Sequence, residues 1–286
     1  MAASRWVPDG WDAAVRIGVL VPHADVGPES ELRAMAPPGV CIHAARVPFG
    51  AIRIGGGMDP TIPLEPVKRF AEPPELDDAA ELLAAAPLHV IAYAFTSSAY
   101  VIGARGEADM VHRLRRRSRG IPVVSPCASA VEALQALDAH RIALFDPPWF
   151  DAQLVGLGRA YYEDAGFDVL DATACELPSD QTAITPDALH RWIVEHTPAD
   201  ADAIVVGGNG FRAVGTIDAL EADLSRPVLT ANQVLLWGAL RAADARPRIE
   251  HYGRIFDINA SSHRGAAHAP DADAIGASPR SSSAVT

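Results

Sequence analysis

His89-Val90-Ile91-Ala92-Tyr93-Ala94-Phe95-Thr96-Ser97-Ser98 passes from a continuous apolar run into three hydroxyl residues. An apolar run without alternation is the pattern of a strand covered on both faces, as in parallel sheets. A second stretch, Ala203-Ile204-Val205-Val206-Gly207-Gly208-Asn209-Gly210, does the same and ends in glycine and asparagine. Small polar residues just past the carboxyl end of such a strand form the rim where α/β proteins bind ligands.

Working outward, six further strands are expected at Arg16-Val21, Val40-Val47, Ile121-Ser125, Arg141-Phe145, Asp168-Ala172 and Pro227-Thr230. Helical patterns lie at Leu76-Ala85, Ala108-Arg117, Ala128-Ala136, Ala152-Ala165 and Pro186-Glu195. Alternation at this spacing predicts α/β layers with right-handed crossovers. The order also repeats. Arg16-Val21 and Arg141-Phe145 each open a series of four strands, and the third strand of each series carries the polar rim. The expected fold is two pseudo-symmetric Rossmann-like α/β domains with parallel sheets and an interdomain cleft. The expected boundaries are an extension at 1–14, a first domain at 15–125 plus 233–258, and a second at 126–232. A disordered tail is expected at 259–286, because Ser261 to Thr286 is rich in Ala, Ser, Asp and Pro and lacks aromatic residues. Gly55-Gly56-Gly57 reads as a flexible loop, since Pro60, Pro63 and the lack of a following Lys-Ser/Thr do not suit a phosphate cradle.

Composition bounds the function. The 286 residues are 49% apolar, enough for a sizeable core. A formal charge of -12 argues against phosphate-backbone binding as the main activity. The basic run Arg113 to Arg119 reads as a solvated helix end, with a phosphate or partner contact as the other reading. No apolar run is long enough for a membrane helix, and the N-terminus has no signal-peptide core. Three scattered cysteines, Cys41, Cys127 and Cys175, fit a reducing cytoplasm rather than a disulfide framework. His43, His89 and His112 are scattered too, so no metal is expected. The expected partner is a small molecule, without nucleic acid or membrane, and a homo-oligomer is the default state.

The candidate chemistry gathers at the strand ends. Thr96, Ser97 and Ser98 can hold a carboxylate or a developing enolate, or can cap a helix. Asn209, between Gly208 and Gly210, can donate to a substrate oxygen or form an Asx turn. Arg212 can pair with a carboxylate or lie on a surface helix. After Pro22, His23 and Asp25 can exchange a proton or serve structure alone. Asp146 occupies the corresponding point of the second half, followed by Pro147, Pro148 and Trp149, whose ring can wall a pocket. Cys127 precedes a helix, which can activate a thiol, although a buried, inert cysteine is the favoured reading of the same residues.

From about Arg16 to Asp257 the chain resembles the Asp/Glu racemase superfamily, in its maleate cis-trans isomerase and arylmalonate decarboxylase branch. The carrying residues are Ile17-Gly18-Val19-Leu20-Val21-Pro22 with Asp25 and Glu29, Cys41-Ile42-His43-Ala44-Ala45-Arg46, and Tyr93-Ala94-Phe95-Thr96-Ser97-Ser98. Gly166-Phe167-Asp168-Val169, Pro227-Val228-Leu229-Thr230-Ala231-Asn232-Gln233 with Trp237, and Tyr252-Gly253-Arg254-Ile255-Phe256-Asp257 follow in order. The resemblance implies a cofactor-free enzyme that binds a small acid between two α/β domains and uses cysteines from one or both. Here the first cysteine position matches Phe95, with Thr96-Ser97 retained. The second falls at Gly208, or by a one-residue shift at Gly207 or Asn209. The thiol mechanism is therefore absent, and an apolar Phe95 disfavours a carboxylate charge beside it. The expectation is isomerase- or decarboxylase-like chemistry on a small carboxylic or dicarboxylic acid. The proton donor is sought among His23, Asp146 and Cys127, and Asp25 joins them as a candidate catalytic acid of the lyase or hydrolytic alternative. Pro22, Phe95, Thr96, Ser97, Ser98, Pro147, Trp149, Gly208, Asn209 and Gly210 are the expected binding residues. Lyase or hydrolytic chemistry on the same scaffold, or acid binding without catalysis, are the alternatives.

Overall fold

The structure, a computed structural model, describes residues 9–261. The first half runs β1 (Val15–Pro22), α1 (Gly27–Met35), β2 (Val40–Val47), α2 (Leu64–Phe70), α3 (Glu75–Leu83), β3 (Val90–Tyr93), α4 (Thr96–Arg117), β4 (Val123–Val124) and α5 (Pro126–Ala136). The second runs β5 (Arg141–Asp146), α6 (Ala152–Asp164), β6 (Asp168–Ala174), α7 (Pro186–His196), β7 (Ala203–Val206), α8 (Ile217–Leu224), β8 (Val228–Thr230) and α9 (Ala231–Ala242), and α10 (Ile255–Ser261) closes the described chain.

Both sheets are parallel and share one topology, β2-β1-β3-β4 and β6-β5-β7-β8. The repeated strand series therefore folds as two copies of one pattern. β3 and β7 are buried throughout, as their unbroken apolarity requires. β4 is shorter than its apolar run, because it has a single pairing partner, β3, and follows Pro122, which lacks an N–H for the ladder. The helices after the last strand of each half cross over. Cys127 and Ala130 of α5 lie against Val205, Val206 and Leu229 of the second sheet, whereas α9 packs on β3 and β4 of the first.

Two differences from the sequence reading have clear causes. Helix α4 starts twelve residues earlier than expected, at Thr96 rather than Ala108, and bends at Gly103, where φ is 69°. Gly103 and Gly106 hide the helical period there, and glycine tolerates the positive φ of the bend. Helix α9 was not anticipated because Ala231 to Leu240 is buried on every side, which leaves no polar face to mark a period. Residues 259–261, assigned to the tail, end α10; the rest of the tail and residues 1–8 lie outside the described residues. The basic run is the end of α4, where Arg113 pairs with Asp77 and Arg117 with Asp78 and Glu81 of α3. No helix among the described residues is long and apolar enough to cross a membrane.

Candidate functional site

The carboxyl ends of β1, β3, β5 and β7 face one narrow cleft. Pro22, Asp25, Phe95, Thr96 and Ser97 line it from the first half, and Trp149, Phe150, Gly208, Asn209 and Gly210 from the second. Phe49, Ile52, Met58 and Ile62, from the segment between β2 and α2, supply further apolar wall. That segment is tied to the second half where Ile62 N donates to Trp149 O at 3.0 Å and Ser179 Oγ to Pro60 O at 2.8 Å.

On the first rim, α4 begins at Thr96 directly after β3. The opening N–H groups of a helix have no carbonyl one turn earlier to pair with, and they carry the positive end of its dipole. Thr96 and Ser97 thus bring both hydroxyls and free N–H groups to the cleft. Ser98 does not: it is fully buried, donates to Phe95 O at 3.1 Å and shares a 2.6 Å hydrogen bond with the Tyr93 hydroxyl. Phe95 packs edge-on against Phe49 and at a tilt against Phe70, at centroid distances of 4.8 and 4.2 Å, so its ring belongs to an aromatic cluster as well as to the wall.

The second rim is a glycine loop instead of a helix start. A Cβ on Gly207 would lie 2.1 Å from Asp146 Oδ1, and one on Gly208, at φ 82°, would lie 2.7 Å from Pro147 Cγ. Neither position can carry a side chain. Asn209 can, and it reaches across the cleft to accept a 2.7 Å hydrogen bond from Thr96 Oγ1. Of the three positions open for the second thiol, Asn209 is therefore the one whose side chain faces the first rim. Its Nδ2 donates to Asn232 Oδ1 at 2.8 Å, and Asn232 Nδ2 donates to Glu31 Oε2 at 2.7 Å. Glu31 also accepts from the backbone N–H groups of Ala213 and Val214.

The acids differ in place and protonation. Asp25 lines the cleft while being nearly buried. Burial pushes its carboxyl up, against the opposing pull of the Gly27 N–H, the Gln181 amide and the Arg46 charge. Burial also raises Glu31 to about 7, with the Asp25 charge adding to the shift. Asp146 reaches about 8 from burial.

None of the three expected proton donors reaches the cleft; of the four candidate catalytic residues only Asp25 lines it. His23 is exposed, accepts from the Phe49 N–H through Nδ1 at 3.2 Å and faces a separate groove with Arg69 and Glu75. Asp146 ends a strand and is sealed behind Gly207, with the Tyr100 hydroxyl donating to it at 3.3 Å. Cys127 is buried behind Thr96, its Sγ 3.7 Å from Thr96 O. Burial lifts its thiol well above the ordinary value, with the Glu107 and Asp146 charges adding, so the helix N-terminus does not activate it. Pro147 packs on Gly208 and is absent from the lining, while Trp149 is present. Arg212 lies in a neighbouring groove that shares Gln181 and Gly210 with the cleft. No group of three His, Cys, Asp or Glu among the described residues could hold a metal ion.

Glu31, Asn232 and Gln181 escaped the sequence reading as site residues. Asn232 lay within a quoted family stretch, which was its only signal. Glu31 sits on a helix without clear period, and Gln181 lies in a turn.

A family model described as arylmalonate decarboxylase matches residues 73–256. A maleate isomerase of Pseudomonas putida is 25% identical over 261 residues, which span 84% of this chain and 96% of that protein. Among solved structures, the maleate isomerase of Pseudomonas putida S16 with maleate aligns at TM-score 0.74 and 24% identity, covering 85% of this chain and 97% of that one. An arylmalonate decarboxylase aligns at TM-score 0.67 and 20% identity, covering 85% of this chain and 99% of that one. These structures share the two-sheet fold described above. With the family match spanning more than half of its length, the chain belongs to the arylmalonate decarboxylase family.

Proposed function

We propose that the cleft carries out proton chemistry at the carbon next to the carboxylate of a small acid, in isomerisation or decarboxylation, with Asp25 as the acid–base group. The observation that carries this reading is the convergence of a raised-pKa carboxyl with the α4 N-terminus and Asn209 in one apolar cleft. The N–H groups of the first turn of α4 and the Ser97 hydroxyl hold the carboxylate and the enediolate that forms from it, since negative charge grows there in the transition state. Asp25 supplies the proton that the carbanionic carbon takes up, or removes one in the isomerising direction. Its burial keeps a neutral acid available above the ordinary aspartate range. The ring walls exclude water, so protonation comes from the protein. The match to the arylmalonate decarboxylase family supports the protonation that follows loss of carbon dioxide. The resemblance implies that no cofactor takes part, and the residues lining the cleft suffice for the roles named.

The experiment is proton NMR in deuterated water with a panel of aryl- and alkylmalonates, maleate and small monocarboxylic acids. Deuterium incorporation next to a carboxylate, abolished by Asp25→Asn and retained after alkylation of the thiols, is the expected result. Exchange that survives Asp25→Asn, or its absence across the panel, would remove the assignment.

A further inference from the structure

The polar relay behind the cleft has a fixed direction. Ala213 N and Val214 N both point at Glu31 Oε1, at 2.7 and 3.0 Å, so that oxygen accepts. Glu31 Oε2 receives Asn232 Nδ2 at 2.7 Å. The same nitrogen donates to the backbone carbonyl of Asn209 at 2.8 Å, and a carbonyl can only accept. Asn232 is thus oriented twice over, by a carboxylate and by a carbonyl. Its Oδ1 must then receive Asn209 Nδ2, which it does at 2.8 Å. Asn209 Oδ1 is left facing Thr96 Oγ1 at 2.7 Å. An amide oxygen has no hydrogen, so the Thr96 hydroxyl donates to it. A hydroxyl has one hydrogen, and here it is committed away from the ligand. All four side chains are buried and belong to α1, α4, α9 and the loop after β7, so no water replaces a partner at little cost.

We propose that Thr96 offers lone pairs, not a hydrogen, to the bound acid, so that the cleft selects acids with a hydrogen-bond donor beside the carboxylate, such as a 2-hydroxy acid, with Glu31 and Asn232 as positioning residues for that choice. The inference rests on the reading of the cleft as a small-acid site. A hydroxyl next to the carboxylate, itself held at the start of α4, meets Thr96 as a donor meets an acceptor. A keto oxygen at the same place meets it lone pair to lone pair. Sites built around a substrate hydrogen bond discriminate strongly against an analogue that cannot make it.

The test is calorimetric binding of mandelate, phenylglyoxylate and benzoate at about pH 8.5, where a glutamate of pKa about 7 is ionised. Wild type is expected to prefer mandelate over phenylglyoxylate by about 10-fold. Thr96→Val brings that ratio near one by weakening mandelate alone, and Thr96→Ser restores it. Glu31→Gln sets an amide nitrogen against Asn232 Nδ2, and lowers the ratio while benzoate affinity stays. A wild-type ratio of one or below with benzoate bound, or a ratio unmoved by Thr96→Val, overturns the proposal and leaves the small-acid reading intact. A ratio unmoved by Glu31→Gln removes Glu31 from the positioning role. Binding of none of the three acids overturns both readings.

Discussion

Asp25 and Asp146 lie at or just past the end of the first strand of their respective halves, yet one faces the cleft and the other the protein interior. Asp146 is the last residue of β5, and the strand turns it into the interior, where Gly207 leaves room for its carboxyl. Asp25 lies three residues beyond β1, past the turn at Pro22, and so reaches the cleft. The same contrast divides the rims. The first opens a helix and offers N–H groups, whereas the second makes a glycine loop and offers one side chain, Asn209. A repeated topology therefore does not repeat its chemistry: residues one to three positions past a strand decide what each half contributes.

The largest effect that separates the two acids is kinetic. Asp25→Asn is expected to lower kcat by about 100-fold or more, the usual scale for loss of a general acid, with little change in thermal midpoint. Asp146→Asn should leave kcat nearly unchanged and act on stability alone, through its dependence on pH, and equal kinetic losses in the two variants would erase the contrast. Next comes the packing around the acids. Gly207→Ala places a Cβ 2.1 Å from Asp146 Oδ1 and should cost about 3 kcal/mol in denaturant titration, at the upper end for overpacking. Gly210→Ala meets the flexible ends of Gln181 and Asp25, so it should impair turnover more than stability.

Smaller again is the dependence of stability on pH. Asp146 and Glu31 have folded-state values of about 8 and about 7, above their ordinary carboxylate values. The folded chain therefore holds protons that the unfolded chain has released. The contribution of these two groups is fully present below the ordinary carboxylate range and declines as pH rises toward 8, by about 1.4 kcal/mol per unit and group within each window. Asp146→Asn should flatten the upper part of this slope; chemical denaturation between about pH 5 and 8 measures it. The smallest effect concerns thiols. Half-buried Cys41 should react with iodoacetamide in the native state, while Cys127 and Cys175 stay protected and turnover is unchanged. Loss of turnover on modification would return a cysteine to the mechanism.

The inner strands were legible because a doubly covered parallel strand must be apolar at every position, and two like series of four strands, with more polar β2 and β6 at the edges, leave few arrangements. The polar rims were legible for a related reason, since Thr96-Ser97 and Gly208-Asn209 break that apolarity abruptly. Choosing among His23, Asp25, Asp146 and Cys127 was not possible from the chain alone. All four follow a strand or end one, and a shift of one residue turns a side chain from cleft to core.

Local pattern thus dictated the layers, the repeat and the position of the rims, because periodicity and strand burial are properties of neighbouring residues. Which groups meet is a matter of long-range approach. Thr96 touches Asn209 across 113 positions, and Asn232 reaches Glu31 across 201. No local rule constrains such distances. They follow from two sheets packing with their strand ends together, and that packing also sealed Cys127 and Cys175 away and left Asp25 facing the cleft.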